Sequence, residues 1–231
     1  MKNLILASSS SVHGSEFLEY LKPDLLQFFN QTKELLFFPY ARPSGVSYDA
    51  YTELVAKFFM PLGIKVRGIH KASNACKAIS NASAIFIGGG NTFVLVAKLY
   101  EMGLMDELKK VISNGTPYLG TSAGSNICGV SMNTTNDMPI VMPDSFETLG
   151  IIPYNINAHF IESDKNSTHR GETRETRIKE YHEFHHYPVI GLKEGSWLRV
   201  TSDKIILKGG LKAFLFQKDK DVLSCDTNTI F

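Results

Sequence analysis

Five consecutive residues, Gly120-Thr121-Ser122-Ala123-Gly124, have the form G-x-S-x-G. Tyr118 and Leu119 lead into them, and a small-residue segment able to start a helix follows. A serine on a tight strand-to-helix turn is pushed out of its sheet with the hydroxyl exposed. Flanking glycines permit a turn that side chains would crowd. The helix behind it would offer backbone N–H groups and a positive dipole end to a developing oxyanion. A plain small-residue turn would read the same way. The pentapeptide therefore needs partners: a base within hydrogen-bond reach, an acid to orient that base, and an oxyanion hole.

Seven histidines compete for the base. His13 and His70 fall at other strand ends or loops, and His169 falls in a polar loop. His182, His185 and His186 sit on the tail of a charged helix. His159 lies in a mixed apolar stretch downstream of the serine, which suits a base but equally suits a satisfied histidine at a strand end. His182 and His186 have the i, i+4 spacing that can hold a metal, but a solvated helix face is the simpler reading, and no metal site is expected. Asp137, in a turn-rich loop, and Glu194, after an apolar run, are the acids of interest; each read alone is an exposed loop acid. Gly88-Gly90 can bring backbone N–H groups close to a ligand. That run lacks the spacing and lysine of a phosphate-binding loop. Arg174 and Arg177, three apart near a helix start, could grip a carboxylate in bidentate fashion or form a salt-bridged surface helix.

The elements that must position these residues follow from the pattern. Strands are expected at 3–7, 34–39, 64–69, 84–87 and 117–119. Helices are expected over 16–29 (interrupted near Pro23), 47–62, 72–80, 93–100 and 105–113. This alternation predicts a mostly parallel sheet with helices on both faces, and sites in such sheets gather at the carboxyl ends of the strands. Gly88–Thr92 and Ser122 both fall at such ends. The second half is less regular. It offers a strand with a histidine at 155–160, a charged helix over 171–186 and a buried strand at 189–192. A three-stranded meander over 197–217 follows, with turns at Ser202-Asp203 and Gly209-Gly210. Without repeats or linkers, the 231 residues read as one domain.

Charge is nearly balanced, with 24 basic and 23 acidic residues, so neither nucleic acid nor a membrane surface is an expected partner. No run approaches the ~20 apolar residues of a membrane-spanning helix, and the N-terminus is a poor signal peptide. Cys76, Cys128 and Cys225 are an odd count without C-x-x-C spacing, as expected of a reduced cytoplasmic chain. The sequons at Asn30, Asn81, Asn133 and Asn166 then carry no meaning.

Six stretches occur in order: FIGGGNTF (86–93), GTSAGSN (120–126), TTNDMPIV (134–141), INAHF (156–160), GETRETRI (171–178) and GLKEGSW (191–197). Together they closely resemble the dipeptidase E, or α-aspartyl dipeptidase, family over nearly the whole chain. The resemblance implies an α/β three-layer sandwich with a mostly parallel sheet, related to class I glutamine amidotransferases. It implies cleavage of dipeptides with an N-terminal aspartate, without metal or other cofactor. By motif, Ser122 corresponds to the nucleophile, His159 to the base and Glu194 to the acid that orients it. Asp137 matches a further position needed for activity, as a group that orders the site or receives the substrate's amino group. Backbone N–H groups near Gly89, Gly90 and Ala123 would hold the oxyanion, and Arg174 would grip the aspartyl carboxylate. Thr121, Ser125, Ala158 and Ser196 are small departures that remove no required chemical group.

Other readings fit the same framework. A cyanophycinase-like or isoaspartyl peptidase would attack β-linked aspartyl bonds. An esterase is suggested by G-x-S-x-G alone. A non-catalytic amidotransferase-like binding protein would have no need of Ser122, His159 and Glu194 together. A small peptide is the expected partner, and the sequence leaves monomer and homodimer equally open.

Overall fold

The computed structural model describes residues 1–163, 171–202 and 204–231. Its first five strands are β1 (Asn3–Ala7), β2 (Glu34–Phe38), β3 (Lys65–Gly68), β4 (Ile85–Ile87) and β5 (Tyr118–Thr121). They run parallel in the order β3-β2-β4-β5-β1. β4 and β5 are buried along their whole length, as near-continuous apolar runs in a doubly covered sheet require. Side chains alternate between the two faces. Ile5, Phe37 and Phe86 enter one core cluster, and Leu4, Leu36 and Ile87 enter the other.

The helices are α1 (Lys22–Phe28), α2 (Tyr48–Phe59), α3 (Ala75–Ser80), α4 (Thr92–Glu101), α5 (Met105–Ser113), α6 (Ala123–Asn126) and α7 (Arg174–Phe184). Side chains of Ser47, Asn74, Asn91 and Thr173 cap α2, α3, α4 and α7 by accepting first-turn N–H groups. Pro23 opens α1 rather than interrupting it, because a helix has no use for the N–H of its first turn. Among the described residues, no helix is long and apolar enough to cross a membrane.

The second half departs from the expected meander. β8 (Ser196–Thr201) and β9 (Lys204–Gly209) form a hairpin that joins the parallel sheet beside β1. β10 (Ala213–Phe216) leaves that sheet and pairs with β7 (Val189–Leu192). With β6 (Asn155–Ala158) and β11 (Leu223–Cys225) they make a second sheet, ordered β11-β10-β7-β6. Ile156, Ile190 and Leu192 from this sheet share a core cluster with Leu4, Leu6 and Ile87 of the large one. Of the two expected turns, Asp203 lies outside the described residues.

Strand order sets the site. β5 lies between β4 and β1, so three carboxyl ends converge: Gly88–Gly90 after β4, Ser122 after β5 and Ser8 after β1.

Candidate active site

Ser122 stands between β5 and α6 with φ 53° and ψ −112°, a conformation that costs on the order of 1–3 kcal/mol and needs surrounding structure to hold it. Its N–H donates to the Ala7 carbonyl at 3.0 Å, and the Ser125 hydroxyl donates to the same oxygen at 2.7 Å. The glycines of the motif are demanded by packing. A Cβ on Gly124 would run into the Ile87 carbonyl of β4, and one on Gly120 would meet the Gly124 carbonyl at 2.5 Å. Close helix-to-strand contact is what turns the serine outward.

His159 Nε2 lies 2.9 Å from Ser122 Oγ, and its Nδ1 lies 2.6 Å from Glu194 Oε1. An ionised carboxylate only accepts, so Nδ1 carries the proton and donates to Glu194. The Nε2 lone pair then faces the serine and accepts its hydroxyl proton. Such an array can deprotonate an attacking hydroxyl and stabilise the imidazolium that results. Glu194 is 53% exposed, so its pairing with His159 orients the ring and adds little stability.

Both partners are placed by particular local backbone. His159 directly follows β6 with φ 56°, and its N–H donates to Ser8 Oγ at 2.9 Å. The buried Ser8 hydroxyl donates in turn to the Leu192 carbonyl at 2.7 Å, which also accepts the Phe160 N–H at 3.1 Å. Ser8 thus ties the end of β1 to the ends of β6 and β7. Glu194 lies in the turn closed by Ser196 N–H on the Lys193 carbonyl at 3.0 Å, and Gly195 takes the positive φ of 86° in that turn.

Gly89 abuts the nucleophile. A Cβ there would come within 3.0 Å of Ser122 Cβ. The N–H groups of Gly89, Gly90 and Ala123 have no hydrogen-bond partner among the described residues. Ala123 follows the serine directly and Gly89 abuts it, as oxyanion donors must, and Gly90 is the next residue of the same turn. The Gly90 backbone is pinned by close approach to the Ala41 carbonyl, which also accepts the Asn91 N–H at 2.7 Å.

Asp137 does not touch His159. Its Oδ2 accepts the Thr92 N–H and the Thr135 hydroxyl, both at 2.8 Å, at the N-terminus of α4 where a negative charge is favoured. Asn126 Nδ2 reaches Thr92 Oγ1 at 3.1 Å, which joins this network to α6. The neighbouring Asn136 donates to the Ala158 carbonyl at 2.7 Å, just before the base. The loop around Asp137 therefore braces the glycine turn, the nucleophile helix and β6 together. Sequence reading valued the acid and missed this brace. The signal available was the run of Thr, Asn and Asp, whose side chains bond readily to nearby backbone.

Arg174 begins α7 and is partly buried. Burial and the nearby Arg177 push its guanidinium pKa below the ordinary value, and the attraction of Asp137 opposes them. Arg177 is paired with Glu172 at 3.6 Å on the surface, so the two arginines are not equivalent. Three of the other histidines are engaged elsewhere. His70 bonds Asp49 at 2.7 Å, and His185 stacks on Tyr181 at 4.5 Å. His182 is buried, not solvated as expected, and its Nε2 faces the Tyr187 carbonyl at 3.1 Å. His169 lies outside the described residues.

The family model of peptidase family S51 matches residues 4–208. Peptidase E of Streptomyces coelicolor is 45% identical over 216 residues, covering 94% of this chain and 88% of that protein. A Drosophila melanogaster protein named "Probable alpha-aspartyl dipeptidase" is 44% identical over 221 residues, covering 94% and 91%. The solved structure of a peptidase from an acI-B1 actinobacterium matches the fold with a TM-score of 0.69 at 18% identity, over 100% of this chain and 97% of that one.

Proposed function

The chain belongs to peptidase family S51, and from that premise we propose that it is a serine dipeptidase that hydrolyses Asp-Xaa dipeptides through an acyl-enzyme on Ser122. The observation that carries the chemistry is the continuous relay Ser122–His159–Glu194, with links of 2.9 and 2.6 Å. His159 Nε2 takes the hydroxyl proton as Ser122 Oγ attacks the peptide carbonyl. The carbonyl oxygen gains its charge against the N–H groups of Gly89, Gly90 and Ala123. His159 returns the proton to the leaving amine. A water then adds to the ester by the same route, and aspartate departs.

Substrate choice follows from charge. Arg174 is the grip for the aspartyl side-chain carboxylate, and the carboxylate of Asp137 is the counter-charge for the substrate's amino group. An arginine held partly out of water is costly to leave unpaired, so a neutral residue in place of aspartate should be rejected strongly. The three unpaired cysteines, two of them buried, suit a reducing compartment such as the cytoplasm.

The test is release of free amino acid from Asp-Leu, Asn-Leu, β-Asp-Leu and Ala-Leu. Asp-Leu is expected to be cleaved selectively, and Ser122→Ala to lose about 10⁴- to 10⁶-fold in kcat. Full activity in Ser122→Ala would end the acyl-enzyme mechanism. Preferred cleavage of β-Asp-Leu would end the assignment of an α-aspartyl substrate.

A further inference from the structure

We propose that Arg42 binds the α-carboxylate of the dipeptide, the group that marks a substrate as only two residues long. The inference rests on the Asp-Xaa reading and adds a second anion grip to it, carried by a different element from Arg174.

Arg42 stands on backbone fixed to the oxyanion turn. After β2 the chain passes through Tyr40 and Ala41, both buried, and Arg42 is the first exposed residue. The Ala41 carbonyl accepts the Asn91 N–H at 2.7 Å and is pressed against Gly90. Any shift of Arg42's backbone would therefore disturb the same glycines that border Ser122.

The side chain turns the same way. Its guanidinium lies 5.0 Å from the centroid of the Tyr51 ring. The buried Tyr51 hydroxyl donates to the Gly89 carbonyl at 3.3 Å, and Gly89 abuts Ser122, whose Cβ would be 3.0 Å from a Cβ placed on that glycine. Arg42, Tyr51, Gly89 and Ser122 thus form one contact chain. Burial raises the Tyr51 pKa, and the charge of Arg42 is the largest influence opposing that rise, which agrees with the short separation.

The contact with Tyr51 holds the guanidinium over the ring and beside its hydroxyl, and leaves the remaining N–H groups of the fork without a partner among the described residues. Among the described residues no carboxylate pairs with Arg42, whereas Arg67 and Arg177 each have a glutamate partner. An oriented, unpaired fork of donors at the edge of a catalytic turn suits a planar carboxylate. The substrate supplies one nearby. With the scissile carbonyl oxygen against Gly89, Gly90 and Ala123, the C-terminal carboxylate of a dipeptide lies only one residue on, ~3.3–3.6 Å of extended chain. A longer peptide has a neutral amide there.

The experiment compares Asp-Leu with Asp-Leu amide, which keeps every group except the terminal charge. Wild type is expected to prefer Asp-Leu. Arg42→Met should lower kcat/KM for Asp-Leu by about 10- to 100-fold, the loss of a charge-assisted pair, and for the amide by less than about 3-fold. Arg42→Lys should keep part of the preference, since a point charge replaces the fork. Equal losses on both substrates would mean that Arg42 only steadies Tyr51 and the turn, or grips the aspartyl side chain, and would overturn the proposal. So would a wild-type enzyme indifferent to the amide, or an Arg42→Met variant that behaves as wild type. Failure of wild type to cleave either compound would instead bring down the Asp-Xaa reading, and this inference with it; the wild-type arm separates the two failures.

Discussion

Ser122 stands at the centre of the parallel sheet, and its geometry is fixed within a few residues. The glycines at 120 and 124 press α6 against β4 and β5, and the serine's unusual backbone follows from that contact. His159 and Glu194 stand just past β6 and β7 of the second sheet, and nothing in their immediate sequence aims them at Ser122. Their position comes from Ser8, which reaches from the end of β1 to the His159 N–H and the Leu192 carbonyl. The placement of Ser122 is thus a local product of its turn, while His159 and Glu194 depend on registry between two sheets. Damage to the first should be chemical and absolute. Damage to the second should be graded, and should appear in turnover before it appears in substrate binding.

The largest effect that sharpens this contrast is expected at Glu194. Glu194→Gln keeps shape and solvent exposure but lets the amide donate toward Nδ1, which favours the tautomer with Nε2 protonated. That tautomer cannot accept the Ser122 proton. A drop of about 10³- to 10⁴-fold in kcat with little change in KM is expected, as for the orienting carboxylate of other Ser-His-acid sites. Because Glu194 is half exposed, its removal should hardly lower the melting temperature. A loss below tenfold would show that Ser8 and the backbone alone aim the histidine.

Ser8→Ala tests the bridge itself. The Leu192 carbonyl keeps a second partner in the Phe160 N–H, but the His159 N–H loses its acceptor. An orphaned N–H costs about 1–3 kcal/mol when fully buried, and His159 is only part-buried, so denaturant unfolding should show a loss of about 1 kcal/mol. Activity should fall by about tenfold in kcat, because His159 is held in a positive-φ backbone that the bridge secures. The conservative Ser8→Thr should restore much of the kcat if its hydroxyl can still reach both partners. Loss of stability at unchanged kcat would place Ser8 in the fold alone.

The same contrast explains what could be read before the fold was known. The apolar runs Glu34–Phe38 and Val189–Leu192, the α2 pattern closed by Gly63, and α5 in full were legible, because strand and helix periodicity is local. Ser122 was legible because its glycines are contiguous with it. The second sheet was not. Its strands are three or four residues long, and one of them, β10, follows a hairpin that belongs to the other sheet, so short-range spacing suggested a meander. His159 was one candidate among several from spacing, and only the six ordered motifs singled it out. Ser8 and Arg42 were invisible as functional residues: Ser8 acts through contacts 151 and 184 positions away, and Arg42 meets the glycine turn only through Tyr51, whose hydroxyl bonds Gly89 38 positions on. Asp137 was recognised as a group near the chemistry, but its bonds to Thr92 and Thr135 depend on the loop's fold, which no periodicity encodes.

The smallest expected effect concerns the packing beneath the nucleophile turn and appears only in alkali. Burial pushes the Cys128 thiol from 9.0 up to about 12, and the Tyr40 phenol from 10.0 up to about 12. Both groups are neutral when protonated, so the folded state holds their protons more tightly than the unfolded chain does. Their stabilising contribution is complete below the unfolded values and is lost as pH rises from about 9 towards 12, where the unfolded state binds fewer protons. Urea midpoints should therefore be level near pH 8 and fall progressively above pH 9, with Cys128→Ala removing the earliest part of the fall. At pH 8 the exposed Cys76 should alkylate readily and Cys128 should not, because a fully buried thiol held protonated supplies almost no thiolate. Since Cys128 lies one turn past Gly124, to whose carbonyl its Sγ donates at 3.7 Å, modification of Cys128 in the native protein would mean that the turn carrying Ser122 opens without global unfolding. The rigidity of the Ser122 side of the site would then belong only to the unmodified, closed state.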